Sequence, residues 1–349
     1  GEWRMRFDFC IGNPPYQEES IGANANDTPV YHYFYDAAFE ISDIVELITP
    51  ARFLFNAGGT PKIWNERMLS DEHLKVCMYE QISAKVFPGT SITGGVAVLF
   101  RHAGKECGPI GVFTSFPELN SIIQKVDSLS DADLSTIVSN RGQYRYSDLA
   151  YTEEPEEMKK TADRRIAPSA FERMPRLFTE EKPSDGHDYI RIYGVMNSKR
   201  VFRWFRRDYV SPVDTLDKYK VFISKADGAA GTIGAPIPAR ICGKPVVLEP
   251  GVGAAETFIT IGASDNYDEA EAIAKYIRTK LARTMLGVLK VTQNNAKPTW
   301  GKVPLQDFTH ASDIDWSQPI PAIDQQLYRK YGLTEEEIAF IESHVKEMT

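Results

Sequence analysis

The sequence predicts an α/β fold in its first third and a mixed α+β fold toward its carboxyl end. Between residues 7 and 113, short apolar runs alternate with segments whose apolar residues recur at helical spacing. Strands that alternate with helices indicate a sheet covered by helices. Farther along, residues 268–290 have the strongest helical pattern of the chain, and strand patterns lie at 219–224 and 258–261.

The elements of the first part follow from apolar periodicity and from turn residues. Strands are predicted at residues 7–11, 44–49, 74–79, 96–100 and 110–113. Helices are predicted at residues 30–41, 50–55 and 61–69. The stretch 17–28 is polar, rich in glycine and asparagine and without periodicity, so it predicts a loop.

A turn directly after the first predicted strand carries the strongest functional signal. Its four residues are Asn13, Pro14, Pro15 and Tyr16. The prolines have a fixed φ and no N–H, so their carbonyl groups can face a ligand instead of a strand partner. Asn13 adds a side-chain carbonyl acceptor, and Tyr16 adds a flat aromatic face. A rigid turn with converging acceptors beside an aromatic ring suits an exocyclic amine on a planar ring.

The Asn-Pro-Pro-Tyr turn resembles the catalytic motif of the N6-adenine DNA methyltransferases of bacterial restriction-modification systems. The resemblance implies that Asn13 and the Pro14 carbonyl accept hydrogen bonds from the adenine N6 amine. These bonds would hold the amine against the methyl group of S-adenosylmethionine. Tyr16 would stack on the adenine after it is flipped from the duplex, and Phe87 matches the aromatic residue on the other face. The implied catalytic residues are Asn13, Pro14, Pro15, Tyr16 and Phe87.

The same resemblance refines the predicted fold. The order of turn, helix, strand, helix, strand and hairpin matches the second half of a Rossmann-like methyltransferase sheet. Residues 1–115 would be the carboxyl-terminal half of the catalytic domain, and residues 116–188 a helical connector. Residues 189–310 would be a mixed α+β DNA target-recognition domain, and residues 311–349 a helical extension.

A feature that such an enzyme needs is missing from the sequence. S-adenosylmethionine binds a glycine-rich turn that links a strand to a helix. In the branch where the cofactor site comes first, this turn precedes the catalytic motif, but only twelve residues precede Asn13. Residues 248–253 are glycine-rich, yet a strand pattern follows at 256–262, so we reject them as the cofactor turn. We therefore expect the cofactor-binding loop to be largely absent and the chain to be a fragment that is inactive alone.

Positive charge is concentrated in residues 191–245. Eleven cations and four carboxylates give this segment a charge of +7 within a chain of net charge −8, so the remainder carries −15. Aromatic residues interleave with cations between residues 200 and 209, which suits contact with phosphates and splayed bases. The basic candidates for DNA contact are Lys199, Arg200, Arg203, Arg206, Arg207 and Lys225. A solvated charged face over a small core is the alternative interpretation.

Three amide side chains after the long helix are candidate base readers. They are Gln293, Asn294 and Asn295, and such side chains pair bidentately with adenine in the major groove. A polar turn that caps the helix would explain the same residues without DNA. Features that resemble the target-recognition domain of restriction-modification enzymes are the basic aromatic block, the strands at 219–224 and 256–262, the long helix and residues 300–308.

Composition narrows the class of protein further. The 349 residues are 42% hydrophobic and 25% charged, as is usual for soluble globular proteins. No apolar run approaches the roughly 20 residues of a membrane span, and no signal-peptide pattern is present. The four cysteines are scattered without metal-ligand spacing, which favours a reducing cytoplasm and no metal site.

Double-stranded DNA is the expected partner, with a nuclease on the same polypeptide or on a partner subunit. One alternative is a non-catalytic DNA-recognition or specificity module. Another is a methyltransferase that acts on protein glutamine or on RNA, since these enzymes can share the four-residue motif. The long basic region disfavours the glutamine enzymes.

Overall fold

The structure is a computed structural model that describes residues 7–18, 28–228, 233 and 236–348. The chain divides into two compact units, Gly1–Asn120 and Ser121–Thr349. Each helix within the described ranges is too short or too polar to cross a lipid bilayer. The finer division into four segments stays a prediction.

The first unit is built around a four-stranded sheet. Its elements are β1 (Cys10–Gly12), β2 (Gln17–Glu18), β3 (Thr28–Pro29), α1 (Tyr31–Ile41), β4 (Ile44–Pro50), α2 (Lys62–Ser70), β5 (Leu74–Glu80) and β6 (Val96–His102). The strand order is β1-β4-β6-β5. Strand β1 runs parallel to β4, whereas β6 runs antiparallel to both of its neighbours. The predicted order of turn, helix, strand, helix and strand is present, but the last predicted hairpin is absent from the described residues because β6 pairs with β5 and β4 instead. The α/β class is confirmed.

Alternating apolar residues in β4 fix helix α1 on this sheet. Val45 and Leu47 are buried, and they belong to one hydrophobic cluster with Tyr31 and Tyr35 of α1. The Tyr35 hydroxyl also forms a 3.0 Å hydrogen bond with the hydroxyl of Thr49, near the end of β4. The helix that follows the 13–16 turn is therefore held against the strand next to β1.

Three predictions in this unit are wrong in detail. The first strand spans only Cys10–Gly12, and its Ile11 is 76% exposed instead of buried. In the described sheet β1 has a partner on one side only, so it lacks the cover of a central strand. Residues 110–113 form no strand, because Gly111 has a φ of 62° that interrupts an extended backbone. The helix predicted after β4 is only a 3-10 turn, Arg52–Phe55.

The second unit contains two three-stranded sheets and several helices. Its elements are α3 (Pro117–Ser128, which crosses the division between the units), α4 (Asp148–Glu153), α5 (Pro155–Met158), α6 (Ala170–Arg173), β7 (Tyr189–Met196), β8 (Lys199–Arg206), β9 (Tyr219–Ser224), β10 (Val246–Leu248), β11 (Val252–Ala254), β12 (Phe258–Ser264), α7 (Tyr267–Arg278), α8 (Lys280–Leu289), α9 (Ile320–Lys330) and α10 (Glu335–His344). The sheet orders are β11-β7-β8 and β10-β9-β12. The predicted mixed α+β character is confirmed.

The basic aromatic block forms strand β8, the second strand of a hairpin with β7. A two-residue turn joins the strands, and both of its residues, Asn197 and Ser198, have positive φ (50° and 59°). This backbone twist matches the twist of antiparallel strands. Phe205 of β8 is fully buried and stacks on Phe178 with ring centroids 4.4 Å apart. The aromatic residues of the block therefore contribute to a core as well as to a surface.

The helix predicted at residues 268–290 is broken into α7 and α8 at Thr279, where ψ is 151°. The Thr279 hydroxyl accepts a hydrogen bond from the N–H of Ala282. The Asp324 carboxylate accepts hydrogen bonds of 3.0 and 3.1 Å from the first two N–H groups of α8. These acceptors satisfy N–H groups that a helix start leaves unpaired. The apolar stripe continues across the break, so periodicity alone predicts one helix.

Candidate active site and nucleic-acid interface

One edge of the first sheet collects the segments that follow three strands. Strands β1 and β4 are parallel, so their carboxyl ends point to the same edge. At that edge Val96, the first residue of β6, is paired with Pro50 of β4 and with Glu80 of β5. The segments after β1, β4 and β5 therefore begin at this edge, and they contain the 13–16 turn, residues 51–60 and Phe87.

The 13–16 turn presents its amide while its backbone is anchored. Asn13 and Pro15 are exposed, and Pro14 and Tyr16 are half-buried. The carbonyl of Tyr16 accepts a 3.1 Å hydrogen bond from the N–H of Val30, at the start of α1. Strands β2 and β3 pair directly after this contact. Most of the predicted loop 17–28 lies outside the described residues.

The hydroxyl of Tyr16 is shielded from solvent and makes no well-formed hydrogen bond among the described residues. Burial raises the pKa of Tyr16, and the neighbouring Asn13 side chain opposes this rise only partly. Because Tyr16 is half-buried while its hydroxyl is buried, its accessible surface belongs to the ring and the backbone. Stacking of the ring on a base stays a prediction.

Two further polar groups near this edge could not be predicted from the sequence. The Tyr31 hydroxyl and the Arg52 Nε are also buried without a hydrogen-bond partner in the described structure. Burial raises the pKa of Tyr31, and the Thr60 hydroxyl and the Arg52 charge oppose the rise. Unpaired buried polar atoms are uncommon in folded proteins and are often explained by bound water or by a functional role. Nothing in the local sequence of either residue distinguishes it from an ordinary core residue.

The Phe87 turn is organised by Ser83. The N–H of Phe87 donates to the Ser83 carbonyl at 2.8 Å, and the Ser83 hydroxyl accepts from the N–H of Ile92 at 2.9 Å. At Gly94 (φ 87°), a Cβ would lie 2.5 Å from the Cγ of Arg52. A glycine therefore lets the backbone of this loop pass close to the Arg52 side chain. Phe87 is half-buried, and its contact with a base stays a prediction.

The predicted basic residues differ in how far they are free for DNA. Lys199 and Arg200 are exposed beside the hairpin turn. The side chains of Arg203 and Arg206 are only 12% and 14% exposed, and they pair with Glu180 (2.8 Å) and Glu153 (2.6 Å). Arg207 pairs with Asp217. The guanidinium groups of Arg203, Arg206 and Arg207 thus form ion pairs within this unit, and their contact with DNA stays a prediction.

The candidate base readers also differ in their exposure to solvent. Gln293 and Asn294 are exposed, whereas Asn295 is fully buried. The Asn295 amide donates to the Ser224 carbonyl at 2.9 Å, and its backbone carbonyl accepts from the Trp300 indole at 3.0 Å. Asn295 is thus a structural residue, which corrects its assignment as a base reader. Lys225 is partly exposed and lies 3.6 Å from Glu256.

The glycine-rich residues 248–253, which the sequence analysis rejects as a cofactor turn, connect two strands. Residues 248–253 link strand β10 to strand β11, with Gly251 (φ 77°) in the turn between them. A strand-to-strand connection presents no helix N-terminus to a phosphate or carboxylate.

Comparison with known proteins bears mainly on the first unit. Residues 2–87 match a family model described as Eco57I restriction-modification methylase, about a quarter of the chain. This segment contains the 13–16 turn and Phe87, so the resemblance inferred from the turn is confirmed there. Over these residues the chain is similar to restriction-modification methylases. None of the curated proteins matches the chain in sequence.

A solved structure is also similar, titled "Characterization and crystal structure of the type IIG restriction endonuclease BpuSI". The match covers 92% of this chain and 50% of that chain, with 9% sequence identity and a TM-score of 0.31. The chain thus spans half the length of the protein that it matches.

Proposed function

We propose that this chain contributes base-contacting and DNA-recognition parts to an S-adenosylmethionine-dependent, adenine-N6-specific DNA methyltransferase of a restriction-modification system. The observation that carries the proposal is the exposed Asn13 on an anchored Pro-Pro turn, at a strand end, inside a segment that matches a methylase family.

The proposed chemistry is direct displacement. The side-chain carbonyl of Asn13 and the backbone carbonyl of Pro14 accept hydrogen bonds from the N6 amine of a flipped adenine. Both acceptors favour a pyramidal nitrogen whose lone pair is free to accept a methyl group, which S-adenosylmethionine would supply when bound. The preorganised backbone matters because an acceptor that is already oriented costs no rearrangement in the transition state.

The rings of Tyr16 and Phe87 hold the flipped base in this proposal. Extruding a base costs a few kcal/mol, and stacking on an aromatic ring recovers about 1–3 kcal/mol for each face. Both rings are half-buried, which limits their own freedom while leaving some surface accessible. The role of Pro15 is to stiffen the turn, since its φ is fixed.

The methyl donor is the part of the proposal that the described residues do not provide for. The glycine-rich candidate, residues 248–253, connects two strands and does not fit the cofactor. We therefore derive no step through S-adenosylmethionine, and we assign to this chain only contacts with the base and with DNA.

In the second unit, exposed cations and amides are proposed to bind and read duplex DNA. The residues retained for this role are Lys199, Arg200, Lys225, Gln293 and Asn294. A nuclease on the same polypeptide or on a partner subunit belongs to the same proposal, because restriction-modification pairs methylation with cleavage.

The direct test is the identity of the product. Full-length protein, duplex DNA and radiolabelled S-adenosylmethionine should yield labelled N6-methyladenine after nucleoside digestion. Labelled cytosine would refute adenine specificity. DNA binding without any transfer would favour the alternative, a recognition module with no activity of its own.

A further inference from the structure

A buried carboxylate in the second unit gathers three cations from distant parts of the chain. The Glu256 side chain is 5% exposed, and its Oε1 pairs with Arg141, with Arg165 at 3.3 Å and with Lys225 at 3.6 Å. The side chains of Arg141, Arg165 and Lys225 are 59%, 30% and 28% exposed, so each also reaches solvent. Each cation therefore pairs with the buried Glu256 carboxylate and keeps part of its side chain accessible to solvent.

Positive charge is in excess at this cluster. One further carboxylate, Asp163, pairs with Arg165, and one further cation, Arg145, forms a backbone bridge with Arg165. Burial lowers the pKa of Lys225, and the charges of Arg141 and Arg165 lower it further. Two carboxylates, Glu256 and Asp163, are therefore paired with three cations, and an additional anion would relieve the repulsion among these cations.

The backbone is shaped to deliver these side chains. Gly142 has a φ of 66°, and a Cβ there would lie 2.5 Å from the Cδ of Arg165. A glycine at this position thus leaves room for the Arg165 side chain to pass close to the backbone next to Arg141. Lys225 is fixed on both sides, because its N–H donates to the Thr257 carbonyl and its carbonyl accepts from the Asn295 N–H, each at 2.8 Å.

The same backbone contacts connect the cluster to exposed amides. Ala226, next to Lys225, forms a bridge with Asn294. The N–H of Asp227 donates to the Gln293 carbonyl at 2.9 Å. Lys225 and the two exposed amides consequently lie on neighbouring backbone segments. Cations that fix a backbone and amides that reach base edges are the two kinds of contact that a DNA reader combines.

We propose that Arg141, Arg165 and Lys225 form a phosphodiester-binding site, oriented by Glu256, that positions duplex DNA next to Gln293 and Asn294. The inference rests on the proposed function for the presence of DNA, and it adds two cations from outside the +7 segment to Lys225 within it. Arg141 and Arg165 lie in the region that the sequence predicts to be a connector.

The salt dependence of binding tests the site. Equilibrium binding of full-length protein to a short fluorescent duplex is measured over a range of salt concentrations. Each lost phosphate contact should reduce the log–log salt slope by about one unit and weaken binding several-fold. Arg141→Ala and Arg165→Ala should show this change. The control is Lys159→Ala, which removes an exposed cation that pairs with Glu156 and should leave the slope unchanged.

A glycine pair separates positioning from folding. Gly142→Ala and Gly186→Ala place alanine at a φ of 66° and 86°, but a Cβ at Gly186 meets nothing within 4 Å. Both variants should lower the melting temperature because both strain the backbone, and Gly142→Ala should lower it more because its Cβ also displaces Arg165. Only Gly142→Ala should also reduce the salt slope, because only it displaces Arg165.

Equal slopes for Arg141→Ala, Arg165→Ala and Lys159→Ala would overturn the inference, as would wild-type protein whose binding is independent of salt. Binding is read without methyl transfer, so the two proposals can fail separately. Protein that binds through these arginines but transfers no methyl group contradicts only the proposed function. Protein that methylates adenine with an unchanged slope in all variants contradicts only the phosphate site.

Discussion

The turn at residues 13–16 and the strand β8 handle polar side chains in opposite ways. Asn13 is exposed on a backbone that prolines and a hydrogen bond from Val30 hold in place. Arg203 and Arg206 of β8 are mostly buried and paired with Glu180 and Glu153. A rigid backbone with an open polar group is suited to a ligand, whereas a cation enclosed by carboxylates is suited to stabilising the fold.

The largest effect that tests this contrast is on stability. Arg206→Ala should lower the free energy of unfolding by about 1–2 kcal/mol, because Glu153 and the Tyr209 hydroxyl lose a shared hydrogen-bond partner while Glu153 keeps access to water. Lys199→Ala, at the exposed hairpin turn, should change it by less than about 0.5 kcal/mol. Urea denaturation measures both. Comparable losses of stability in the two variants would mean that the ion-paired Arg206 stabilises the fold no more than the exposed Lys199 does.

Asp324 extends the comparison to carboxylates that serve structure. It is almost fully buried at the break between α7 and α8, and burial raises its pKa to about 6. The folded state therefore holds this proton more tightly than the unfolded state, and the contribution of Asp324 to stability falls as pH rises from about 4 to 6. The loss amounts to roughly 3 kcal/mol.

The measurement is the unfolding free energy of the wild type relative to Asp324→Asn at pH 4 and pH 7. The wild type should lose stability relative to the variant over this interval. A constant difference would show that Asp324 ionises normally in the folded protein.

Neighbouring amides give the smallest and cleanest contrast. Asn295→Ala should cost about 1–2 kcal/mol of stability, because the buried Ser224 carbonyl loses its donor. Asn294→Ala should leave stability unchanged and reduce discrimination at one base pair by about 1 kcal/mol or more. Thermal melts and binding to duplexes with single substitutions separate the two. Loss of base discrimination without loss of stability in Asn295→Ala would reverse the assignment.

Local chemistry could be predicted from the sequence, and long-range assembly could not. The spacing of Thr334 and Glu337 predicts a capped terminal helix, and the structure has this capping box. The break at Thr279 depends on Asp324, which is far along the chain, so the continuous apolar stripe conceals it. The same limit applies to β1, whose burial depends on neighbouring strands and not on its own apolar residues.

The candidate sites follow the same rule. The four residues of the 13–16 turn are contiguous and have specific chemistry, so the motif could be recognised before the structure. The cluster around Glu256 combines side chains from separate parts of residues 141–256, and no local pattern marks Arg141 or Arg165. Counting charge by segment found the excess of cations in residues 191–245 but not the ion pairs of Arg203 and Arg206 in β8.

The central claim is that Asn13 acts in methyl transfer and not in holding DNA. Single-turnover methyl transfer at saturating duplex and S-adenosylmethionine measures this in the full-length protein. Asn13→Ala should lower the rate by roughly 100-fold or more, as expected for the loss of one preorganised transition-state hydrogen bond, with duplex affinity nearly unchanged. Asn13→Asp, which keeps the acceptor oxygens, should retain much more of the rate. Near wild-type turnover of Asn13→Ala would contradict the account and leave the turn with a structural role only.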